Sequence, residues 1–564
     1  MIYVIVFISI FVFSCCGSGY SVTGPADDDY GETEKNAESL CEESSVTYRK
    51  AILPENVSVN PPGTYNKNHT CIPLPEPENG ELVLGEGCFE GCLKVGEKLS
   101  VSGKGPENTM IICKNMESEA VVEVSQKAGL NLENLSLSGL TRCVTGADGS
   151  DVKIKNVNIS HCLKGGINIC LAESGCRATL SVSDSFIGDI DEAASGISYG
   201  ISFGNGKLNV SGSVISGVNS FGIAVWGETC EINNINIENS VISGVYGGLR
   251  SYEGHGFYAE NSADIVIKES SISDTATSFI LVTSESGEIK LQLIDFNAQN
   301  TLETNEEQGG IVLDGKVNAY FDKVSVENSR GNGVFSRDAL LYAENLTIKS
   351  VFSDGNGDNG FALQLVDGSE SFIKNLSVVS AEKAGIILDV KCSADIEDFE
   401  ILSTKSDRYS GEYGVGAAVQ EGASLTMKNG VVADNREAGF LVLDSEISLE
   451  NVEIKETKSR GCMENRTCIF APDTDFAHGI SLYSSSVMRF DSVTLSKNNN
   501  GLNVEDSEVL ASGSKKIYFN QNVTAVNAWD IDDFSKLEEN LANSSFCGNE
   551  SVFTADLQPV REDL

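Results

Sequence analysis

A glycine followed by an aliphatic or aromatic residue returns along this chain at Gly166-Ile167, Gly200-Ile201, Gly222-Ile223, Gly256-Phe257, Gly310-Ile311, Gly333-Val334, Gly360-Phe361, Gly385-Ile386, Gly414-Val415, Gly439-Phe440, Gly479-Ile480 and Gly501-Leu502. Ser278-Phe279 fills the one double-length gap. Gly200 and Gly222 stand 22 residues apart, as do Gly479 and Gly501, and no step is shorter. A fixed minimum with additions on top marks a coil of constant length that carries loops. The 564 residues would otherwise suggest three or four domains, but a stacked repeat makes one body.

Each unit carries a second signature in which apolar and polar residues alternate, as in LNVSGSVISG, LLYAENLTIKS, SFIKNLSVVS and ISLENVEIKET. Alternation with period two puts one side chain inward and the next outward, and an Asn, Asp or Ser in mid-run suits a bend between two short strands. Gly is plentiful at 55 residues and Pro scarce at 10, as strands joined by tight turns require. Helical periodicity is nearly absent until Ser535-Lys536-Leu537-Glu538-Glu539, where a short amphipathic segment is expected to cap the open end of the stack.

The paired signatures, over roughly residues 80 to 530, resemble the right-handed parallel β-helix superfamily that includes pectate lyases and polygalacturonases. The resemblance implies an all-β fold: one right-handed parallel β-helix with capped ends and loop insertions on one side. The organisation expected is a leader at 1–16, a flexible acidic tether at 17–50, a cap and first rungs at 51–120, the β-helix proper at 121–534 and a terminal cap at 535–564. The superfamily hosts lyases, hydrolases, epimerases, adhesins and inert scaffolds, so the fold alone does not fix an activity.

The apolar run from Met1 to Phe13 reads as the core of a secretory signal, too short for a spanning helix. Val12-Phe13-Ser14-Cys15 resembles a bacterial lipobox, which implies acylation of Cys15 and a surface or outer-membrane lipoprotein, ordinary secretion being the alternative. Of 16 cysteines, those of the exported body are expected to form disulfides, and Cys170 with Cys176 and Cys462 with Cys468 are close enough to staple single loops. Net charge is -42, which disfavours nucleic acid and anionic headgroups and leaves a lipid anchor as the route to a membrane. A monomer is expected.

Two features invite a chemical reading. Gly254-His255-Gly256 resembles a segment of polygalacturonases, but the Asn-Thr-Asp and Asp-Asp companions that supply their carboxylates are missing, and Gly256 is the repeat glycine. No Arg-x-Pro-x-x-Arg or Asp-Pro-His-Glu segment of the lyase or epimerase types occurs. Asp354, Asn356 and Asp358 place oxygen-bearing side chains at alternate positions of a Gly-rich loop, the spacing of a candidate calcium loop. The glutamate that would complete an EF-hand is replaced by Leu365. No other cofactor is implied.

The insertions lie just before the repeat glycine, so they should form a wall along one side. Counting four residues on from each glycine gives an outward row of Trp226, Glu260, Val282, Asp314, Arg337, Gln364, Asp389, Ala418, Leu443, Tyr483 and Glu505. Trp226, Glu260, Asp314, Arg337, Asp389, Tyr483 and Glu505 are the candidate groove for an extended polymer, with Asp314 and Arg337 placed to pair. The function expected is non-catalytic: a surface β-helix for binding, adhesion or scaffolding toward an extracellular polysaccharide or a surface protein. The alternative is a polysaccharide-active lyase or glycoside hydrolase.

Overall fold

The computed structural model describes residues 71–170, 177–190, 197–227, 233–247, 253–301, 309–411, 413–458, 477–511, 516–529, 531 and 534–554. The leader with Cys15, the tether, and Cys176, Cys462 and Cys468 lie outside these residues.

Each coil runs through three short strands, and every strand pairs in parallel with its counterpart one coil later. In one coil the strands are Tyr199–Phe203, Gly206–Ser211 and Val214–Val218. In the next they are Phe221–Trp226, Asn233–Glu238 and Val241–Val245. The register sets like above like: Ile201 opposite Ile223, Leu208 opposite Ile235, Ile215 opposite Ile242. Inward residues from all three faces fuse into one continuous apolar core. We call the strand that carries the repeat glycine the glycine face, and the two that follow the middle and third faces.

The sharp bend between the middle and third faces is made by single residues in the left-handed region. Asn134, Asn156, Asp184, Asn239, Asp295, Asn345, Asn375, Asp398, Asn429 and Asn451 all hold φ between 48° and 58° there. Asn and Asp tolerate this conformation because their short polar side chains bond locally. Their amides also connect coils, as where Asn375 Nδ2 donates to Asn345 Oδ1 at 3.0 Å and Asn451 Nδ2 to Asn429 Oδ1 at 3.0 Å. Several Asn-x-Ser/Thr triplets of the sequence are therefore this bend repeated.

Polar groups turned inward at the corners form ladders of their own. Ser185 N–H donates to Ser213 Oγ (3.2 Å), Ser213 N–H to Ser240 Oγ (3.3 Å) and Ser240 N–H to Ser270 Oγ (3.1 Å). Asn498 and Asn522 continue the principle, with Asn498 N–H donating to Asn522 Oδ1 at 3.0 Å. Each rung thereby satisfies backbone groups that burial would otherwise leave unpaired.

The repeat glycine has a steric cause. A Cβ on Gly222 would lie 2.5 Å from the Ile242 side chain and 2.5 Å from the Gly256 carbonyl oxygen. The glycine is the inward corner where the next coil's backbone passes, and a side chain has no room. The corner is not always the glycine that the spacing suggests. Gly333 stacks on Ala362 and Gly385 on Gly416, while Gly360 (φ 98°) and Gly414 (φ 105°) sit two residues earlier, in the turn that enters the strand. In the double-length gap the corner is Phe279, since Ile280 pairs with Phe257.

Parallel pairing already begins at Ile72 opposite Phe89, inside the segment expected as a cap, and continues to Ser551–Thr554. Disulfides Cys71–Cys88, Cys92–Cys113 and Cys143–Cys162 hold the first coils. Cys170 is also disulfide-bonded. At the other end the helix Phe534–Leu541 places Leu537 and Leu541 against the core, and strands Ser545–Cys547 and Ser551–Thr554 continue the parallel pairing after it. Among the described residues no helix is long and apolar enough to cross a membrane.

Candidate functional site

The outer surface of the glycine face follows from its alternation. Ile223 and Val225 belong to the core, whereas Phe221, Ala224 and Trp226 do not. The positions one before, two after and four after the corner therefore point outward. Register places Trp226 opposite Glu260, Glu260 opposite Thr283, Thr283 opposite Asp314 and Asp314 opposite Arg337. Further on, Gln420 stands opposite Leu443, Leu443 opposite Tyr483 and Glu505 opposite Trp529.

Trp226, Glu260, Asp314, Arg337, Asp389, Tyr483 and Glu505 thus stand in one row. Three of the intermediate positions are corrected. Val282 is wholly buried in the core and Thr283 takes its place. Gln364 and Ala418 point outward two residues too early, and the row passes through Val366 and Gln420. Each error comes from counting on from Ser278, Gly360 or Gly414 when the true corners are Phe279, Ala362 and Gly416. Asp389 is not exposed as expected but buried.

At one end of the row the outer face is aromatic. Tyr199 stacks on Phe221 with centroids 5.6 Å apart, and Trp226 packs on Tyr258 at 5.0 Å and edge-on to Phe221 at 6.1 Å. His255 lies 5.7 Å from Phe221. Trp226 Nε1 donates to Ser202 Oγ (3.0 Å) and the Tyr258 hydroxyl donates to Glu260 Oε2 (2.8 Å). Burial raises the Glu260 carboxyl above its ordinary range, the Tyr258 hydrogen bond opposes this, and Glu285 nearby adds to it. Burial pushes the Tyr258 phenol up as well. Tyr199, Phe221 and Tyr258 were not in the counted row. The signal was present in the sequence, since aromatics stand one before or two after three successive corners.

The middle of the row is a bidentate pair: Arg337 Nε and Nη2 donate to Asp314 Oδ1 and Oδ2, each at 2.7 Å. Farther along, burial first and Glu421 second raise the Asp389 carboxyl to about 6. Tyr483 Oη accepts from Asn503 Nδ2 at 3.1 Å, and burial pushes its phenol up to about 12.

The candidate calcium loop and the Gly254-His255-Gly256 segment are placed as follows. Asp354 is buried, its Oδ1 accepting from the N–H groups of Asn356 and Asp358 at 2.9 Å and its Oδ2 from Asn359 Nδ2 at 3.1 Å. These bonds cap the acid's own turn and occupy lone pairs a cation would need. No cluster of three or more His, Cys, Asp or Glu able to hold a metal is present among the described residues. Gly254 (φ 106°) makes the entering turn, and His255 is buried with Nδ1 2.9 Å from Thr277 Oγ1.

Two insertions before the glycine face are described, around 353–360 and 403–411, and a buried network ties them together. Ser353 Oγ lies 2.6 Å from Glu382 Oε2 and 2.7 Å from Asp407 Oδ1. Arg408 Nε donates to Glu382 at 3.0 Å and its guanidinium lies 5.0 Å from the Phe352 ring centroid. The wall expected on this side is, in these segments, a locked structure.

Residues 294–457 match the family described as right handed beta helix region. Among curated proteins none matches the chain. Among solved structures, a GH87 alpha-1,3-glucanase catalytic domain in complex with nigerose is similar at 11% identity, covering 75% of this chain and 69% of that one, with a TM-score of 0.32. The mannuronan C-5 epimerase AlgE6 A-module of Azotobacter vinelandii is 10% identical over 85% of this chain and 91% of its own, with a TM-score of 0.20. A mannuronic acid specific polysaccharide family 6 lyase from human gut microbiota is 10% identical over 84% and 86%, with a TM-score of 0.19.

Proposed function

We propose that this right-handed parallel β-helix binds an extended extracellular polysaccharide along the outer surface of its glycine face and does so without turnover. The observation that carries this reading is the aromatic cluster on three successive coils, in which the partly exposed Tyr199, Trp226 and Tyr258 pack over the buried Phe221, beside the polar row that continues to Glu505. Aromatic rings offer a sugar's C–H faces a large apolar area, and the row's carboxylates, amides and hydroxyls can take its hydroxyl groups. In this reading Cys15 supplies a lipid anchor, the acidic segment holds the body clear of the membrane, and the disulfides fit an extracellular setting.

Within the row, the spacing of Glu260 and Asp314 supports binding over hydrolysis by that pair. Coils are about 4.8 Å apart, so Glu260 and Asp314, two coils apart, are separated by about 10 Å along the row. Glycoside hydrolysis uses carboxyl pairs roughly 5 to 9.5 Å apart, and Asp314 is already held by Arg337. A second reading has one specific observation in its favour. Glu260, its carboxyl raised by burial and bonded to Tyr258, stands where the general acid of a polysaccharide-active enzyme could stand.

Affinity electrophoresis on a panel of neutral, acidic and amino polysaccharides separates the two, with parallel assays for new reducing ends and unsaturated products. Retention without product, lost in Trp226→Ala at an unchanged melting temperature, is the expected result. Turnover that disappears in Glu260→Gln would replace binding by catalysis.

A further inference from the structure

Trp226, Tyr258 and Glu260 meet at one corner of the outer face. The two rings are 5.0 Å apart and tilted by 51° to each other. Trp226 and Glu260 are register partners on adjacent coils, and Tyr258 and Glu260 lie on the same strand with their side chains joined at 2.8 Å. All three side chains are partly exposed.

Among the described residues no cation sits at this corner. Cation–π contacts among the described residues fall on Phe352, Phe335, Tyr413 and Tyr409, and none on Trp226 or Tyr258. The charged group that acts on Glu260 is another carboxylate, Glu285, and no described Lys or Arg pairs with it. Arg337, the cation of the row, is spent on Asp314. Two π faces and an uncompensated, partly desolvated carboxylate attract a positive charge from both sides. The field of a chain of net charge -42 acts in the same direction.

We infer that the Trp226–Tyr258–Glu260 corner is a subsite for an ammonium group, and that the polysaccharide bound along the glycine face is an amino-sugar polymer with free amines. This rests on the polysaccharide reading for the identity of the polymer, but not for the subsite. The amine would lie over the Trp226 and Tyr258 rings with Glu260 as its counter-ion, while the adjoining pyranose packs on the aromatic surface. A uronic acid polymer would bring its carboxylates against Glu260 and is excluded from the corner by like-charge repulsion.

The chain has two tryptophans, Trp226 and Trp529, so Trp529→Phe makes fluorescence report on the corner alone. In that background we would titrate tetramethylammonium, fully deacetylated glucosamine hexamer, its N-acetylated counterpart, oligogalacturonate and hexalysine. The deacetylated hexamer should bind about tenfold more tightly than the acetylated one, the order of a cation–π contact strengthened by a partly buried counter-ion. Glu260→Gln should remove that preference and the tetramethylammonium response, whereas Tyr258→Phe, which keeps the ring, should retain both. Equal binding of the two hexamers, unaffected by Glu260→Gln, would overturn the ammonium subsite and leave polysaccharide binding standing. A tetramethylammonium response with no sugar bound would support the subsite and overturn the polysaccharide reading. Hexalysine binding as tightly as the deacetylated hexamer, with the same dependence on Glu260, would overturn the amino-sugar assignment in favour of a cationic peptide.

Discussion

Asp314 and Arg337, 23 residues apart in sequence, are register partners on successive coils and meet through two parallel hydrogen bonds of 2.7 Å. Their side chains are 23% and 43% exposed, which keeps the pair within reach of water. A double-mutant cycle with Asp314→Asn and Arg337→Gln should give a coupling energy of about 0.5 to 1 kcal/mol that shrinks with added salt. A coupling near 3 kcal/mol, independent of salt, would mean that the outer face is desolvated.

The corner glycines should tolerate no side chain. On Gly439 a Cβ would lie 2.4 Å from Ile454 Cγ2 and 2.5 Å from the Gly479 oxygen, whereas on Gly96 it would meet nothing within 4 Å. Gly439→Ala is expected to destabilise by roughly 2 to 3 kcal/mol, since a packed core and the next coil's backbone must both shift. Gly96→Ala should be neutral or slightly stabilising. Chemical denaturation of the two variants checks this.

Acid should reveal two buried groups that offset each other. Asp389 has its carboxyl raised to about 6 from an ordinary 3.8. The folded state therefore favours its proton, and this contribution is fully present below pH 3.8 and lost as pH rises through 6. His478 is pushed down to about 4 from 6.5 by burial. Its contribution is present above pH 6.5 and lost as pH falls through 4. The two act oppositely between pH 4 and 6.5, each on the order of 2 to 3 kcal/mol. Asp389→Asn keeps the acceptor for the Val390 N–H and removes the charge. It should be more stable than the parent at pH 7.5 and lose stability more steeply on acidification, as followed by melting temperature across pH.

Reduction should loosen the first coils before the rest. Cys143–Cys162 closes 19 residues and Cys92–Cys113 closes 21, so each bridge is expected to contribute about 3 kcal/mol. These coils lie near the end of the stack, where neighbours support them on fewer sides. Hydrogen exchange with reductant present should show protection falling between residues 71 and 162 while coils beyond Gly310 keep theirs. Uniform loss along the chain would contradict this.

Periodicity along the chain specifies the coil. Its repeat glycines, its alternating strands and the Asn or Asp at most bends follow from similar local sterics in each turn, so periodicity exposes them. The Asp314–Arg337 pair and the seven row residues were legible for the same reason: in a stacked repeat, equal phase means equal place. Only the tertiary structure decided which glycine of a pair is the corner. Gly254 and Gly256, or Gly414 and Gly416, are close together along the chain, and the difference lies in conformation and packing: Gly254 and Gly414 hold φ of 106° and 105° in the entering turn, whereas a Cβ on Gly256 or Gly416 would meet a core side chain, Ile272 or Val432, and the next coil's backbone oxygen. It also decided the aromatic corner and the burial of Asp389. Both arise from side chains of several coils converging on one outer surface; the positions of the aromatics can be read along the chain, but how closely these side chains pack and cover one another cannot.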